Sequence, residues 1–446
     1  MRQPPYLEIR LSHILVCAVP NPGHVGPMLA IAQHLTSVGH NVTFNTSEYF
    51  RNKVESAGVR FVAMTGKANY DYRDIELHEN KSLSGEDPKL HMLRSRFADT
   101  IPDQHECIQR ILRETPADLV LVDTMLLGSF PMLLGPRQKR PPVIGCGVNP
   151  LLLSSRDCGF ILPPANTPEG RQQILEENQR LLAQFQPVTD HINSIMRTYD
   201  LPPMPHFFTD CMCLLPDLFL QFTAEALEFP RGDMPETVHF VGPVLPKRSV
   251  EFEEPAWWAE LDGSKPVVLV TQGTLANHDF NEVIQPALSG LSDEELLVIV
   301  AAGRSDTQTL VVPANARVAS FIPFDRLLPK VDVLVTNGGY GAVNHAFSLG
   351  VPIVVAGETE EKDIIAARVG WTGAGINLKT RYASAEQIRN AVRAILTNKR
   401  YRDEAKRLQT DFARHNALDE LARMVNAMLT QDSSISKPHP EAVYTH

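Results

Sequence analysis

The sequence predicts an α/β protein made of two doubly wound domains that face each other across a cleft. Short apolar runs alternate with amphipathic stretches from residue 13 onward, and the same alternation restarts near residue 264. A segment of glycine, prolines and mixed charge separates the two halves. The 446 residues are enough for two or three domains of this kind.

In the first half, the pattern predicts a strand over residues 13–19, a helix over 27–38 with a proline in its first turn, and a strand over 41–46. This βαβ order implies a parallel sheet. The runs ADLVLVDT and PPVIGCGVN are continuous and apolar, as in strands buried on both faces. Residues 158–209 are helical and irregular with proline clusters, which suits the mouth of a pocket.

The domain boundary is predicted within VGPVLPKRSVEFEEPAWWAELDG, with the linker at residues 245–263. The first domain then covers residues 1–244 and the second 264–430. In the second half, strands and helices alternate from KPVVLVTQGT to EKDIIAARVG, and residues 383–429 form a charged helical stretch whose last helices could return to the first domain. The tail, residues 431–446, is rich in Ser, Pro and His and is expected to be disordered.

The composition is that of an ordinary globular protein, with 43% hydrophobic and 21% charged residues. A formal net charge of -10 disfavours nucleic acid and anionic membrane surfaces as partners. The apolar run ILVCAV is ended by PNPG, too early for a secretion signal or a membrane span. We therefore expect a cytoplasmic protein that does not bind membranes, either a monomer or a homodimer.

The cysteines lack the paired spacing of a zinc ribbon or a redox site, which predicts reduced core thiols. A redox role stays open for Cys211 and Cys213, which are one residue apart. All six lie in the first half: Cys17, Cys107, Cys146, Cys158, Cys211 and Cys213.

The segment VDVLVTNGGYGAVNHAF places three glycines between an apolar strand and a helix. In an open α/β sheet, ligands bind outside the carboxyl ends of the strands, where a helix N-terminus offers unpaired N–H groups and a partial positive charge. Gly338, Gly339 and Gly341 would let the main chain approach an anion closely. The turn therefore favours a phosphate group held without a lysine, although such a turn can also serve backbone geometry alone.

A second turn, VTQGT, ends the first strand of the same domain and offers Gln272, Gly273 and Thr274 to an anion. Two such turns in one domain indicate a nucleotide diphosphate. The sequence has no G-x-x-x-x-G-K-[ST] segment, its first turn NPGHVGPM differs from G-x-G-x-x-G, and it has no D-x-D pair for a divalent metal. We therefore expect no metal ion, and we expect protein dipoles to stabilise a leaving diphosphate.

His24 is the candidate general base, because it follows the first strand at the edge where ligands bind and has an ordinary pKa near ~6.5. Asp123 ends the run DLVLVD and would lie at the same edge, where it could orient the imidazole. Asp118 opens that run and would face the opposite edge. Plainer interpretations stay open, with His24 as a packed turn residue and Asp123 as a helix N-cap.

Two stretches are candidates for the wall of a ligand pocket. FFTDCMCLLPDLFL and residues 78–97 supply apolar and aromatic side chains that would suit a hydrophobic ligand. Core packing explains the same residues without any ligand.

Four segments in order, VPNPGHVGPML, VTQGTL, FIPFDRLLPKVDVLVTNGGYG and GVPIVVAGETEEK, resemble the UDP-glycosyltransferases of the large GT-B family that decorates small molecules. The likeness covers nearly the whole chain and is strongest for microbial macrolide-type enzymes and their fungal relatives. It implies two facing Rossmann-like domains and an inverting, metal-independent transfer of a hexose, expected to be glucose, from a UDP-sugar. The acceptor would be a hydroxyl of a hydrophobic natural product in secondary metabolism, and no cofactor besides the co-substrate UDP-glucose is implied.

The resemblance also implies roles for individual residues. The family's catalytic histidine falls on His24, and its donor-sugar contacts fall on Glu361 and Lys362. The motif that begins with the uracil-stacking aromatic residue falls on Phe321, Ile322 and Pro323. The diphosphate turn falls on Asn337, Gly338, Gly339, Tyr340, Gly341 and Ala342.

Three positions depart from the family pattern. Asn337 replaces a histidine that touches the diphosphate, His345 replaces a glutamate on the ribose hydroxyls, and Lys362 replaces a glutamine on the sugar. These departures leave the nucleotide and the sugar open, and the sequence does not fix the acceptor or the kind of glycosidic linkage.

Two other functions stay open. A sugar-nucleotide epimerase of the same architecture would need acidic and basic groups around the sugar ring and no acceptor site. A non-catalytic auxiliary partner of a glycosyltransferase would need no intact donor site, and the three departures favour it. The presence of both His24 and Asp123 argues against an auxiliary role.

Overall fold

The computed structural model describes residues 11–73, 87–246, 252–273, 279–303 and 307–431. The strands of the first domain are β1 His13–Cys17, β2 Asn41–Thr46, β3 Arg60–Ala63, β4 Leu119–Asp123, β5 Val143–Gly147, β6 Leu218–Gln221 and β7 Val238–Phe240. They form one parallel sheet in the order β3-β2-β1-β4-β5-β6-β7.

The helices of the first domain cover both faces of this sheet. They are α1 Pro22–Ser37, α2 Arg51–Ser56, α3 Pro88–Met92, α4 Ile101–Glu114, α5 Phe130–Leu134, α6 Pro168–Arg197 and α7 Phe208–Leu214, with a π-helical segment, Leu93–Ala98, between α3 and α4. Because β4 is buried along its whole length, its apolar side chains pack into one core on each face of the sheet.

The second domain repeats the architecture. Its strands are β8 Val267–Thr271, β9 Leu297–Ala301, β10 Ala316–Ala319, β11 Val333–Thr336, β12 Ile353–Val355 and β13 Gly375–Asn377. They form a parallel sheet in the order β10-β9-β8-β11-β12-β13. The helices that follow are α8 Ile284–Gly290, α9 Phe324–Leu327, α10 Tyr340–Ser348, α11 Lys362–Trp371, α12 Ala385–Thr397, α13 Lys399–Phe412 and α14 Ala417–Gln431. The predicted α/β class with two doubly wound, Rossmann-like domains is confirmed.

Helix α1 begins at Pro22 rather than at Pro27, so the predicted start was wrong. The side chain of Asn21 accepts the N–H of Gly23 and caps the helix, and Pro22 occupies the first helical position, where a missing N–H costs nothing. Pro27 lies inside the helix. His24 therefore belongs to the first turn of α1 and not to the loop before it.

The two domains exchange segments. In the C-terminal helix α14, Leu421, Val425 and Leu429 lie in the core beneath the first sheet. In the opposite direction, Ala224 and Leu227, which follow β6, lie in the core of the second domain. One hydrophobic core in each domain therefore contains side chains from both halves of the sequence.

Part of the predicted linker packs on the second domain. Trp258 and Leu261 are buried in its core, beside the partly buried Phe252 and Trp257. Residues 247–251 of the linker lie outside the described residues, as does the predicted tail from residue 432 onward.

All six cysteines are buried and free. Burial raises the pKa of Cys211 to about 12 and also raises that of Cys213, so both are protonated thiols at neutral pH. This favours packing over the redox alternative. None of the described helices is both long and apolar enough to span a bilayer.

Candidate active site

Both sheets reverse their strand order between two central strands, and the predicted site residues follow those strands. In the first sheet the reversal lies between β1, which precedes His24, and β4, which ends at Asp123. In the second it lies between β8 and β11, which precede Gly273 and Gly339. His24, Gly273 and Gly339 line one cavity of about 1280 Å³ between the domains, whereas Asp123 does not line it. This volume exceeds the ~300–1,000 Å³ that is typical of a pocket for one small molecule.

His24 and Asp123 are in direct contact at the first switch point. Nδ1 of His24 lies 3.1 Å from Oδ1 of Asp123. The carboxylate is 1% exposed and also accepts the N–H groups of Val19, at 2.5 Å, and Met125, at 2.8 Å. These bonds fix the carboxylate, which in turn fixes the orientation of the imidazole.

The electrostatic surroundings of His24 favour its protonated form. Burial lowers the pKa of His24, but the charge of Asp123 and the hydrogen bond to it raise the pKa, and the charges of Glu361 and Glu360 add to the rise. The net pKa lies above the ordinary value of 6.5. When Nδ1–H donates to Asp123, Nε2 is left to accept a proton from a bound hydroxyl. The pair can therefore act as a general base.

The glycine turn joins β11 to α10. Gly338 has a φ of 95°, and a Cβ there would lie 3.0 Å from Cγ2 of Val355. Gly339 is the N-cap of α10, and a Cβ at Gly339 or Gly341 would meet nothing within 4 Å. The turn thus leaves open space at a helix N-terminus, which suits a diphosphate.

The two predicted anion turns are bonded to each other. Asn337 is 1% exposed, and its Nδ2 donates to the carbonyl oxygen of Gln272 at 2.8 Å. Gly273 follows with a φ of 76° and lines the same cavity. Tyr340 and Ala342 also line it. Thr274 lies outside the described residues.

The side chain of Gln272 has a structural role. Its Oε1 accepts the N–H groups of Val283, at 3.3 Å, and Ile284, at 2.9 Å, and its Nε2 donates to the carbonyl oxygen of Asp279. These bonds satisfy N–H groups at the start of α8. The side chain of Gln272 therefore joins the end of β8 to α8.

Phe321 lies at the edge of the cavity, shortly after β10 ends. It is 76% exposed, whereas Ile322 is 2% exposed in the core and Pro323 is the N-cap of α9. Its two neighbours fix the backbone while the ring stays in solvent. A ring held in this way can stack on a nucleobase.

His345 lies on α10 and lines the cavity, 6% exposed. Burial lowers the pKa of His345, and the charge of Asp325 opposes this only in part. The imidazole is therefore neutral at neutral pH. It offers one donor and one acceptor where a carboxylate would offer only acceptors.

The turn before α11 brings three charged residues, Glu360, Glu361 and Lys362, to the cavity. Nζ of Lys362 lies 2.6 Å from Oε2 of Glu360 and donates to Oγ1 of Thr359 at 3.0 Å. Burial and the charge of Glu360 raise the pKa of Glu361, whereas Lys362 lowers that of Glu360 in spite of its burial. Glu360 has a φ of 56°, a strained conformation for a residue with a side chain. Sequence analysis missed Glu360, and the run GETEEK was its only signal.

The apolar wall of the cavity belongs to the first domain. Its residues come from the π-helical segment, from α6 and α7, and from the loop after β5. They include Met92, Leu93, Phe97, Leu152, Phe160, Ile161, Leu181, Phe185, Phe207, Phe208 and Met212. The predicted stretches contribute through residues 89–97 and 207–212, while residues 78–86 lie outside the described residues.

Charged groups face each other across the mouth of the cavity. The first domain supplies Lys89, Arg96 and Arg180, and the second supplies Glu360 and Asp363. Nζ of Lys89 lies 3.4 Å from Oδ2 of Asp363. No sequence pattern could have paired them, because 274 positions separate the two.

Comparison with known proteins supports these findings. Residues 286–428 match the family model described as erythromycin biosynthesis protein CIII-like, C-terminal domain. The chain is 36% identical over 428 residues to a 4'-demethylrebeccamycin synthase of Lentzea aerocolonigenes, covering 94% of this chain and 100% of that protein. It is 35% identical over 434 residues to UDP-glycosyltransferase 2 of Phaeomoniella chlamydospora, covering 93% and 95%.

Among solved structures, the chain resembles the calicheamicin glycosyltransferase CalG4, with a TM-score of 0.73 and 22% identity over 95% of this chain and 100% of that one. This likeness confirms the GT-B fold. Because the sequence relatives are 36% and 35% identical over nearly the whole of both chains, the protein belongs to the UDP-glycosyltransferase family and is an enzyme of that family.

Proposed function

We propose that the protein is an inverting, metal-independent glycosyltransferase that moves glucose from UDP-glucose to a hydroxyl of a hydrophobic natural product. One observation carries the proposal: the bonded His24 and Asp123 pair and the glycine turn at residues 338–341 belong to switch points that meet at a single cavity. The two relatives, a demethylrebeccamycin synthase and a UDP-glycosyltransferase by name, support the reaction class.

The proton transfer follows from the geometry of the pair. The acceptor hydroxyl gives its proton to Nε2 of His24 while its oxygen forms a bond to the anomeric carbon. The bond between that carbon and the UDP oxygen breaks, and its electron pair stays on the diphosphate. Asp123 stabilises the imidazolium that results. Attack from the face opposite the leaving group inverts the anomeric configuration.

The second domain supplies the donor contacts in this proposal. The N–H groups at the start of α10 face the diphosphate and stabilise the charge that develops on it. Phe321 stacks on the uracil, and the neutral His345 lies beside the ribose. Glu361 and Lys362 face the sugar hydroxyls.

A metal ion has no part in the proposed steps. In the described part of the chain, no group of three His, Cys, Asp or Glu side chains is arranged to hold one. The expected absence of a metal requirement is tested directly by adding a chelator to the assay.

The apolar wall distinguishes this proposal from its rivals. An epimerase has no need of an acceptor wall, yet aromatic and aliphatic side chains of the first domain line the cavity. An auxiliary protein has no need of a base, and the bond between His24 and the buried Asp123 supports a base at this position.

The decisive experiment is calorimetric titration of the purified protein with UDP, dTDP and GDP and with their glucose forms, with EDTA present. We expect UDP and UDP-glucose to bind more tightly than the others. An absence of binding by every one of these nucleotides would rule out the donor assignment.

Transfer is then assayed with UDP-glucose and a panel of hydrophobic acceptors that carry hydroxyl groups. We expect a glucoside whose anomeric configuration, determined by NMR, is β. Epimerised UDP-sugar formed without an acceptor would support the epimerase instead, and an α-glucoside would contradict the inverting mechanism.

A further inference from the structure

An ion pair between the domains is buried, and the proposed reaction does not use it. Arg368, on α11, is 1% exposed, and its Nε lies 2.5 Å from Oε2 of Glu228, whose side chain is equally buried. Removing two charges from water is costly, and well-packed apolar side chains could fill the same space. Core packing alone therefore does not explain why this ion pair is buried here.

The contacts of the pair join one helix of the second domain to two segments of the first. Nη1 of Arg368 donates to the carbonyl oxygen of Phe160 at 2.9 Å, and its guanidinium lies 4.7 Å from the ring centroid of Phe229. Oε1 of Glu228 accepts the N–H of Leu151 at 3.1 Å. A single guanidinium thus fixes the loop after β5, the segment after β6 and α11 relative to one another.

These segments lead to both sides of the cavity. Phe160 belongs to the apolar wall, together with its neighbour Ile161 and with Leu152, which follows Leu151. Helix α11 begins at Lys362, at the end of the cavity predicted to contact the donor sugar. Arg368 therefore lies behind the acceptor wall and behind the sugar contacts at once.

The segment that contains Glu228 also holds the other donor helix. Nε2 of Gln221 lies 3.0 Å from the hydroxyl of Tyr340, and Oγ1 of Thr223 donates to Oδ1 of Asn344 at 2.6 Å. All four side chains are buried. Helices α10 and α11, which begin at the predicted diphosphate and sugar sites, are thus both bonded to residues 221–229 of the first domain.

We propose that Arg368 is a positioning residue for glycosyl transfer: through Glu228 and the Phe160 carbonyl it sets the spacing between the acceptor wall and the donor sugar. The inference rests on the function proposed above. Transfer requires the acceptor oxygen to lie within about 3.5 Å of the anomeric carbon, and a misplacement of about 1 Å can lower the rate 100-fold. Water, unlike the acceptor, can reach the anomeric carbon without being positioned by the apolar wall. When water attacks, its oxygen bonds to that carbon, its proton passes to His24, and UDP leaves.

The test compares two rates, that of glucoside formation and that of glucose release from UDP-glucose. The Arg368→Gln variant removes the charge and the bond to Phe160. We expect its kcat for transfer to fall by about 10- to 100-fold and its ratio of hydrolysis to transfer to rise by a similar factor. The Kd for UDP, measured by calorimetry, should stay within about twofold of the wild-type value, because the nucleotide contacts lie on α10 and at Phe321.

Two further variants separate positioning from folding. Arg368→Lys keeps a charge opposite Glu228, but its single ammonium group cannot bond the carboxylate and the Phe160 carbonyl at once as the guanidinium does. Its ratio of hydrolysis to transfer should therefore lie between those of the wild type and Arg368→Gln. Glu228→Gln keeps the shape of the partner and should raise the ratio in the same direction. If Arg368→Gln does not fold, the ratio of hydrolysis to transfer in Arg368→Lys and Glu228→Gln tests the proposal instead.

Arg402→Gln is the matched control. It also removes an arginine that bonds a carboxylate, since Nη2 of Arg402 lies 2.6 Å from Oδ1 of Asp332, but neither residue lines the cavity. We expect it to keep the wild-type ratio.

The outcomes separate the two proposals. Folded Arg368 variants that transfer and hydrolyse in the wild-type ratio would overturn the positioning role and leave the proposed function intact. A wild-type protein that neither transfers nor hydrolyses any nucleotide sugar would overturn the proposed function itself. An equal loss of both rates in the variants would show a purely structural role and would also overturn the inference.

Discussion

The first and second sheets of the molecule share one topology, but different chemical groups follow their central strands. After β1 and β4, the first sheet presents an imidazole and a carboxylate with 3.1 Å between their bonded atoms. After β8 and β11, the second sheet presents glycines, a buried amide and the N-terminus of a helix. The first arrangement can accept a proton, and the second can hold negative charge without titrating.

This difference shows how one architecture supports two tasks. Proton transfer needs titratable side chains whose pKa values are set by neighbours, whereas main-chain N–H groups can hold an anion. Substitutions in the first domain should therefore change kcat, and substitutions at the nucleotide site of the second should change KM. The predictions below test this division, beginning with the largest effect.

Replacement of His24 should have the largest effect. His24→Ala removes the group that accepts the proton, so kcat for transfer should fall by about 10³-fold, within the range for a general base. The Kd for UDP, measured by calorimetry, should change by less than about twofold.

The control for this variant is His34→Ala on the same helix, where the imidazole lies 3.4 Å from Asp419 and away from Asp123. It should keep wild-type kcat. A His24→Ala variant that retains most of the transfer activity would remove the catalytic distinction between the domains.

Asp123→Asn should lower kcat by about 100-fold, because an amide can hold the imidazole in the wrong tautomer and stabilises imidazolium poorly. Steady-state kinetics with saturating UDP-glucose measures this. The variant should also melt at a lower temperature than the wild type, since the N–H groups of Val19 and Met125 both depend on this carboxylate. An unchanged kcat in a folded variant would contradict the role of Asp123.

Phe321→Ala should raise KM for UDP-glucose by about tenfold and leave kcat nearly unchanged, because stacking on a base contributes about 1–3 kcal/mol. The melting temperature should not change, since the ring is 76% exposed. Phe321→Trp, which keeps a stacking face, should restore the wild-type KM. A fall in kcat with an unchanged KM would place this residue in the chemical step and would contradict the division of tasks between the two domains.

The pH dependence should show the smallest change. His24 must be neutral to act as a base and its pKa is raised, so kcat/KM should fall on the acid side with a midpoint above pH 6.5. In Glu361→Gln, which removes one of the charges that raise the pKa, the midpoint should move to lower pH. A midpoint below 6.5 in the wild type would contradict the electrostatic account.

The same raised pKa links His24 to stability. Protonation stabilises the folded state more than the unfolded state, so this contribution is complete below pH ~6.5 and is lost as the pH rises through the folded pKa. Thermal unfolding of the wild type and His24→Ala over this range would show the difference.

The sequence predicted the central strands because each is a continuous apolar run buried on both faces. It did not predict β3, β6, β7 and β13, which have only three or four residues each and lack a long continuous apolar run. The 30-residue helix α6 was only an irregular helical segment in the sequence, because Pro187 interrupts its pattern.

The contact between His24 and Asp123 was predictable because the carboxyl ends of neighbouring parallel strands meet at one edge. The Arg368 pair was not, because Glu228 is 140 positions away and neither residue belongs to a motif. The strained backbone of Glu360 was also not predictable from the sequence, since its residue type does not indicate a positive φ. Local patterns thus located the edges of the cavity, whereas contacts across it depend on how the two domains meet.

The return of α14 to the first domain limits how these enzymes can be recombined. Leu421, Val425 and Leu429 complete a core that otherwise belongs to the first half of the chain. A chimaera that exchanges first domains at the linker alone would place a foreign C-terminal helix against that core. An exchange that moves residues 417–431 together with the first domain keeps the native packing, so the first domain of this protein is discontinuous in sequence.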